Sequence, residues 1–509
     1  MKIKFFFSLL LLAVNLPLLA QNLTAKISDS NTGEPLPYAT IKIDGSTDLI
    51  SNNEGYFNFS ENGLDVSSIL KVSFIGYVGQ QITLAELKKQ NLIVKLVPAN
   101  FELDNITISN KKPDPYQIIA EVNKRLKENY KHSGKNTKSK LFFRESSFFK
   151  PSVLDLDITK STGFTKEQLK EANADLKKFS DRLVSKPVQA FKDILCDYYY
   201  GKATGKDNKT YFLSKLDVVK ATNITGDQSA TSLDAMEENG AKLLLKHLDS
   251  TKFYRVKSGL FGSRDTITLN KSYNNKKKNK KPVSKLNNTK NSIFSFLSQQ
   301  HFNGNKLDFV KESKLYSYSF EGSIYNEADN EIIYILKFSP KKSKGIYTGT
   351  LYISESDYAV VKCNYELAEG KKVSGLNLKF LLGVKTSENV SKGTLIFRKD
   401  PEDKIYKLHY AYEESGQYFY INRPLKFIEL TKEEKDVVAL DFKIEGSTVE
   451  RTELLNISRS EISENTFEAF KETDFNYIQL KRYDPAIWQN QVSIEPLEAM
   501  KQYRVSDDF

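Results

Sequence analysis

The sequence predicts a mainly β chain of the α+β class: a small N-terminal β-sandwich, then a larger domain with helices packed on an antiparallel sheet. Three observations carry that reading. Short alternating runs separated by turn signals fill Gly33 to Tyr77, the pattern of half-buried antiparallel strands. Stripes of apolar residues at helical spacing recur within 115–302. From Lys314 to Gly446 the texture changes to successive strands with one apolar face each, which means a sheet covered on one side and wet on the other. At 509 residues the chain exceeds one domain, and 39% hydrophobic with 12% aromatic content excludes global disorder.

Met1-Lys2-Ile3-Lys4, the apolar run Phe5–Leu19 and Ala20-Gln21 have the three parts of a secretory signal peptide, so 1–20 is assigned as a leader cleaved after Ala20. Asn15 and Pro17 interrupt the run, and no later stretch reaches the ~20 apolar residues of a membrane-spanning helix. No cysteine follows the run to take a lipid anchor. The expectation is an exported protein, periplasmic or associated with the outer membrane.

Residues 21–98 are read as the sandwich. Gly33-Glu34-Pro35-Leu36-Pro37-Tyr38-Ala39-Thr40-Ile41-Lys42-Ile43 leads through a turn to Ser51-Asn52-Asn53-Glu54-Gly55-Tyr56-Phe57-Asn58-Phe59 and on to Leu70-Lys71-Val72-Ser73-Phe74-Ile75-Gly76-Tyr77. Asn53-Glu54-Gly55 can close a type I turn, with Gly55 taking the positive φ that a side chain resists. Alternation places Ala39, Ile41 and Ile43 on one face; Phe57 and Phe59 share a face opposite Tyr56 and Asn58. Leu92–Val97 closes the sandwich before Pro98. The order and spacing of these pieces resemble the carboxypeptidase regulatory-like domain, a seven-stranded-type Ig/transthyretin-like β-sandwich common in envelope proteins of Bacteroidetes-type bacteria. Ser51-Asn52 stands where that family more often has Thr-Asp. The resemblance covers about residues 22–98 and implies a fold and a cell compartment, not an activity.

Residues 99–114 are read as a linker. Its extended piece Phe101–Ile108 resembles the strand that follows this domain in energised outer-membrane receptors, but Lys111-Lys112-Pro113-Asp114-Pro115 breaks the chain where a receptor would continue. Asp114 can cap a helix with Pro115 at its first position, and Ile118, Ile119, Val122 and Leu126 form one stripe to about Tyr130. This opens a helix-rich part, 115–302. Lys140–Lys150 reads as a strand, Thr165–Leu195 as a helix broken at Pro187, and Ser232–Leu248 as a helix. Tyr254–Gly262 reads as strand and turn, and Ile293–Phe302 as a short helix. Lys246–Gly262 and Tyr483–Met500 look like the region that follows the regulatory-like domain in flavobacterial proteins of no established activity.

Net charge is +11, of which Lys2 and Lys4 contribute two and the segment Lys271–Lys290 eight, so the remainder is almost neutral. The basic character is one Asn-rich loop, 271–290, read as mobile and solvated, with contact to anionic lipid as the alternative. Nucleic acid does not fit an exported protein. Cys196 and Cys363 are the only cysteines; an oxidising compartment permits a disulfide, their spacing says nothing about one, and Cys363 reads as a small buried hydrophobe.

Residues 303–509 are read as the antiparallel sheet with a C-terminal tail. Tyr316, Tyr318 and Phe320 share a face, as do Ile332, Tyr334, Leu336 and Phe338. The pattern repeats at Tyr347, Leu351 and Ile353; at Ala359, Val361, Cys363, Tyr365 and Leu367; and at Leu376, Leu378, Phe380 and Leu382. Tyr406, Leu408, Tyr410 and Tyr412, then Val438, Leu440, Phe442 and Ile444, complete it. A transmembrane barrel is the lesser alternative, since the opposite faces carry charges such as Lys337, Lys362 and Lys379 that would have to line a lumen. Trp488, the single tryptophan, is expected to anchor the tail on this sheet.

The chemistry search finds no site. His132, His247, His301 and His409 have no carboxylate three residues on and no second histidine nearby, so the zinc site of a carboxypeptidase is absent and structural or surface roles are assigned. No nucleophile elbow, P-loop or dinucleotide glycine pattern occurs, and Gly259–Ser263 reads as a turn. Glu413-Glu414, Glu433-Glu434 and Asp507-Asp508 are adjacent, which in a strand sends them to opposite faces. Asp44, Asp48 and Glu54 lack calcium-loop spacing. No catalytic, cofactor-binding or metal residue is assigned, and no cofactor. The expectation is a non-enzymatic cell-envelope protein, with the sandwich as docking or spacer module and the larger domain as binding part, partnered by an outer-membrane or periplasmic protein. The alternatives are a carrier or sensor holding an apolar ligand on the concave face of the Lys314–Gly446 sheet, and an unrecognised hydrolase.

Overall fold

The structure, a computed structural model, describes residues 22–44, 47–99, 112–131, 133–162, 164–204, 210–225, 253–258, 261–268, 284–302, 304, 306–326, 330–430 and 436–505. The leader, the extended piece 101–108, the helix expected over 232–248 and residues 271–283 of the basic loop lie outside them. The chain divides into two compact units: residues up to Ala99 with Asp484–Glu498, and Asn100–Tyr483 with Ala499–Phe509.

The first unit is the sandwich that the sequence predicts. Its strands are β1 (Asn22–Asp29), β2 (Thr40–Ile43), β3 (Thr47–Ile50), β4 (Tyr56–Ser60), β5 (Ile69–Ser73), β6 (Gln80–Thr83) and β7 (Ile93–Leu96). They form sheets of order β4-β1-β7 and β3-β2-β5-β6, with β7 parallel to β1 and the other pairs antiparallel. Ala39, Ile41, Ile43, Phe57 and Phe59 face the shared core with Ile27, Leu70 and Val94. Gly55 takes φ +79, and a Cβ there would press on the Ile27 carbonyl oxygen at 2.6 Å, so the turn requires glycine. A helix at Leu84–Lys89 starts with a Thr83–Glu86 capping box.

Alternation puts Asn58 on the outer face, yet it is buried, because the returning segment 484–498 covers that face. Asn58 Nδ2 donates to Glu495 Oε2 at 2.6 Å, Ser60 Oγ donates to Asn490 Oδ1, and Asn22 Nδ2 donates to the Trp488 carbonyl. Trp488, expected on the large sheet, belongs to this unit and is buried, so the stretch 484–498 is part of the sandwich unit, while Met500 packs with Phe191 and Ile224 of the large sheet.

The second unit is built on one mainly antiparallel sheet, fourteen-stranded among the described residues. The portion 115–302, expected to be helix-rich, holds more strand than helix among the described residues, contributing β8 (Thr137–Ser161), β9 (Val188–Thr204), β10 (Thr210–Thr225), β11 (Phe253–Ser258) and β12 (Phe261–Thr268). Then follow β13 (Tyr316–Asn326), β14 (Glu331–Pro340), β15 (Tyr347–Ser354), β16 (Val360–Leu367), β17 (Ser374–Leu378), β18 (Val384–Lys399), β19 (Tyr406–Glu429), β20 (Asp436–Glu461) and β21 (Ile478–Leu480). The main path runs β13-β14-β15-β16-β18-β19-β20-β8-β9-β10-β21 and is open among the described residues; β11, β12 and β17 pair off it, and β21 joins β10 in parallel. Cys363 on β16 and Cys196 on β9 stand five strands apart, about 24 Å at the usual strand spacing, and both are free and buried. They do not form a disulfide.

Helix boundaries follow local chemistry. Asp114 caps the helix Pro115–Asn129 by accepting from the Tyr116 amide, and Ile118, Ile119, Val122 and Leu126 are its buried stripe, as the sequence predicts. The helix expected over 165–195 is shorter: it runs Lys166–Ser185, ends ahead of Pro187, and β9 begins at Val188. Its Leu176 and Leu183 cover the far ends of β8, β19 and β20. The helix expected at 293–302 is longer, Lys285–Gln299, so the end of the basic segment is helical; Lys290 there pairs with Glu472 at 2.8 Å.

Three sheet details depart from simple alternation. At β15–β16 a bulge makes Val360, not Val361, the partner of Ile353. At β18–β19 the register shift leaves His409 as the extra residue, buried at 5% exposure. The strand expected through Leu382 stops at Leu378, and Lys379–Leu382 is one helical turn with Phe380 fully exposed.

Candidate functional site

The apolar face of β13–β16 is core. Phe309, from the short helix Asp308–Lys311, stacks on Phe338 at 4.4 Å between ring centres and meets Tyr316, Tyr347 and Tyr365 edge-on or tilted. Phe302 and Tyr130 extend the cluster onto Phe397. The concave-face ligand site expected over these strands is thus filled by the protein's own aromatic rings.

The neighbouring part of the same sheet is not filled. Helix Lys285–Gln299 crosses β8, β19 and β20 by packing Phe296 on Phe143, and leaves a groove on either side. One, of about 540 Å³, lies between the helix and strands β8, β9, β19 and β20. Its apolar wall includes Leu141, Tyr198, Tyr200, Leu297, Leu408 and Leu454. Thr137, Ser139 and Leu141 project with Tyr200, Tyr198 and Cys196 because these pairs stand directly opposite in the β8–β9 register. Burial raises the phenol pKa of Tyr198 to about 12 and raises that of Tyr200, so both rings stay neutral.

Polar side chains share this lining with the apolar ones, among them Lys131, Ser133, Thr137, Ser139 and Ser298. Gln300 Nε2 donates to Glu413, and Asn456 Nδ2 donates to the Leu408 carbonyl. The side-chain oxygens of Gln300 and Asn456 are then buried with no hydrogen-bond partner inside the protein. Buried acceptors of this kind cost free energy until water or a bound donor satisfies them. Arg459 stands at one side, half-buried; burial lowers its pKa while Asp403, Asp400 and Glu461 pull it up. Lys407 is held by Asp400 and Asp403, the latter at 2.6 Å. His301 also lines the wall.

The second groove, about 560 Å³, is polar: Glu145, Glu413, Glu450, Thr452, Asn291 and Ser292 contribute to it. Burial raises the Glu145 pKa against the pull of Lys192, with Glu450 adding to the rise. Glu413 is neutralised by Lys306. Its sequence neighbour Glu414 points to the other face of β19, as alternation predicts, and accepts from Arg451 Nε at 2.6 Å and from Tyr412.

That other face carries a buried charge network. Arg144 on β8 makes a two-pronged contact with Asp193 on β9, at 2.6 and 2.7 Å, and lies 3.7 Å from Glu453 on β20, which also accepts from Tyr410. The pairings Arg144↔Asp193 and Arg144↔Glu453 put the three on one line across the sheet. Burial lowers the Arg144 pKa, and Asp193 and Glu453 more than restore it. Arg144 is one cation against two carboxylates, and burial raises the Glu453 pKa against the pull of Arg144; the contacts tie three strands together in register.

None of these residues is singled out by sequence motif. The one local signal at the groove is the run Tyr198-Tyr199-Tyr200, whose alternate members face it. Among the described residues no three His, Cys, Asp or Glu side chains gather as metal ligands. Asp44 accepts from the Ile69 amide, Asp48 faces Lys42 at 3.8 Å, and Glu54 accepts from the Glu498 amide. No helix among the described residues is long and apolar enough to cross a membrane.

The chain matches none of the curated proteins. Among solved structures, a DUF1329 family protein from Desulfovibrio piger aligns with 70% of this chain and 98% of its own, at 11% identity and a TM-score of 0.19. The MucA/MucB complex of Pseudomonas aeruginosa aligns with 68% of this chain and 99% of its own, at 8% identity and 0.16. A membrane-associated protein of unknown function from Bacteroides fragilis aligns with 86% and 98%, at 10% identity and 0.12. Likenesses of that size carry no argument about function. Residues 23–108, which take in the seven strands of the sandwich but for Asn22 at the start of β1, match the family model of the CarboxypepD_reg-like domain.

Proposed function

We propose that this chain is an exported, non-enzymatic cell-envelope protein whose larger unit binds an amphipathic small molecule in the groove beside helix Lys285–Gln299. The observation that carries the reading is a groove of about 540 Å³ walled by leucines and neutral tyrosines, with the partnerless oxygens of Gln300 and Asn456 in its lining. Sites for small molecules are typically of this size, mostly apolar, with a few placed polar groups. The ligand that fits has an apolar body and a hydrogen-bond donor such as a hydroxyl or amide. In this reading the sandwich is the docking or spacer module, and its partner is an outer-membrane or periplasmic protein. The leader-like N-terminus, Met1 to Gln21, supports export.

The test is a titration with a fluorescent fatty-acid or acyl-amide probe. Leu297→Trp, on the half-exposed lining of the groove, should reduce probe affinity about tenfold or more by occupying the space while leaving the circular dichroism spectrum unchanged. Equal affinity in the two proteins would sink the proposed site.

A second reading, an acid–base hydrolase, draws on Glu145 and Glu450 in the polar groove and the raised pKa of Glu145. Its test is a screen of glycoside and ester substrates in which any turnover must disappear in Glu145→Gln.

A further inference from the structure

The β17–β18 hairpin carries an apolar point at its tip. The two strands pair from Ser374↔Glu388 to Leu378↔Val384, and the turn is closed by Lys379–Leu382 and by Gly383 at φ +65. A side chain at Gly383 would collide with the Asn422 carbonyl oxygen, so the tip's path is fixed against β19. Asn422 N donates to the Gly383 carbonyl at 2.8 Å. Fixed this way, the turn presents Phe380 at 100% exposure and Leu381 at 75%, with Leu376 at 49% beneath them. Large apolar side chains so completely exposed and adjacent mark a contact surface.

The charge around the tip decides what that surface meets. Lys379 in the turn and Lys385, paired with Asn377 just below it, flank the tip, and Gly375–Lys385 has no acidic residue. Lys379 Nζ stands 4.1 Å from the Tyr420 ring centre and Lys385 Nζ 5.3 Å from that of Tyr418, so both cations are held along the hairpin. Two copies of such a tip would repel each other. An apolar point flanked by cations instead complements a bilayer with anionic headgroups, where Phe380 and Leu381 enter the acyl boundary and the lysines meet phosphate.

We propose that Phe380 and Leu381 insert into the surface of an anionic lipid bilayer, with Lys379 and Lys385 on its headgroups. The contact is independent of the ligand groove. The experiment is sedimentation of the full chain with vesicles of phosphatidylcholine, alone or mixed with phosphatidylglycerol, alongside the variant F380S/L381S. Because both residues are exposed, the variant should melt as the parent does.

Binding should require phosphatidylglycerol, weaken with salt, and fall about tenfold or more in F380S/L381S. In Phe380→Trp, acyl-brominated lipid should quench fluorescence beyond any change in the parent, whose single tryptophan, Trp488, is buried. Four outcomes would overturn the proposal. They are no binding to either vesicle, equal binding by F380S/L381S, no added quenching at position 380, and a self-association or protein complex that requires Phe380 in place of vesicle binding.

Discussion

Asn52 shows how much one side-chain amide settles. Its Oδ1 accepts from the Glu54 and Tyr56 amides, both at 2.9 Å, which forms the turn, while Nδ2 donates to the Glu495 carbonyl at 3.1 Å. Aspartate could form the turn but could not donate, and its charge would face carbonyl oxygens. Asn52→Asp should therefore destabilise the sandwich unit by about 1–3 kcal/mol. Denaturant unfolding followed by the fluorescence of Trp488, which reports on that unit, checks this. Glu145 gives a second prediction. Its folded pKa lies above the ordinary 4.5, so ionising it opposes folding; the effect is absent at pH below 4.5 and grows as pH rises through the folded value. Glu145→Gln should match the native protein in acid and exceed it in stability at neutral pH. A difference of opposite sign would show that Lys192 dominates instead.

At the scale of elements, local rules were legible where neighbours obey the same period. The cap at Asp114, the glycine at 55 and the stripe Ile118 to Leu126 all stand where spacing places them. Bulges were not legible: one extra residue at Val361 or His409 changes which side chains face inward, and nothing in the local pattern marks it. Pro187, which reads as an interruption of a helix, is the boundary between helix and strand: Phe191 and Ile194, three apart, fit helical spacing, whereas in β9 they lie on opposite faces and are both buried. The four-residue helix at Asp308–Lys311 is too short to show a period in the sequence, yet it delivers Phe309 to the centre of the aromatic core. Phe309→Ala should cost about 3–5 kcal/mol in guanidinium unfolding read by far-ultraviolet circular dichroism. A loss under 1 kcal/mol, roughly the level of an exposed site, would mean that the ring is not what fills that face.

At the scale of the molecule, the mainly β architecture and the sandwich could be read from the sequence, since each rests on contiguous runs. The groove could not. It arises where β8 and β9, drawn from one part of the chain, pair beside β19 and β20 from another, under a helix from between them. Its wall combines residues as far apart as Leu141 and Asn456, and no local motif records that meeting. The same holds for Arg144, Asp193 and Glu453, and for the return of 484–498 to the sandwich. Long-range pairing, not composition, makes these sites.

The most direct measurement is native mass spectrometry of the protein isolated from envelope fractions without detergent, with extraction and identification of any bound small molecule. The expected result is one copurifying amphiphile, with an acyl or similar apolar body and a hydroxyl or amide donor, present in the parent and absent from Leu297→Trp. Parent protein that carries nothing, and that takes up no probe when offered it, would contradict the account.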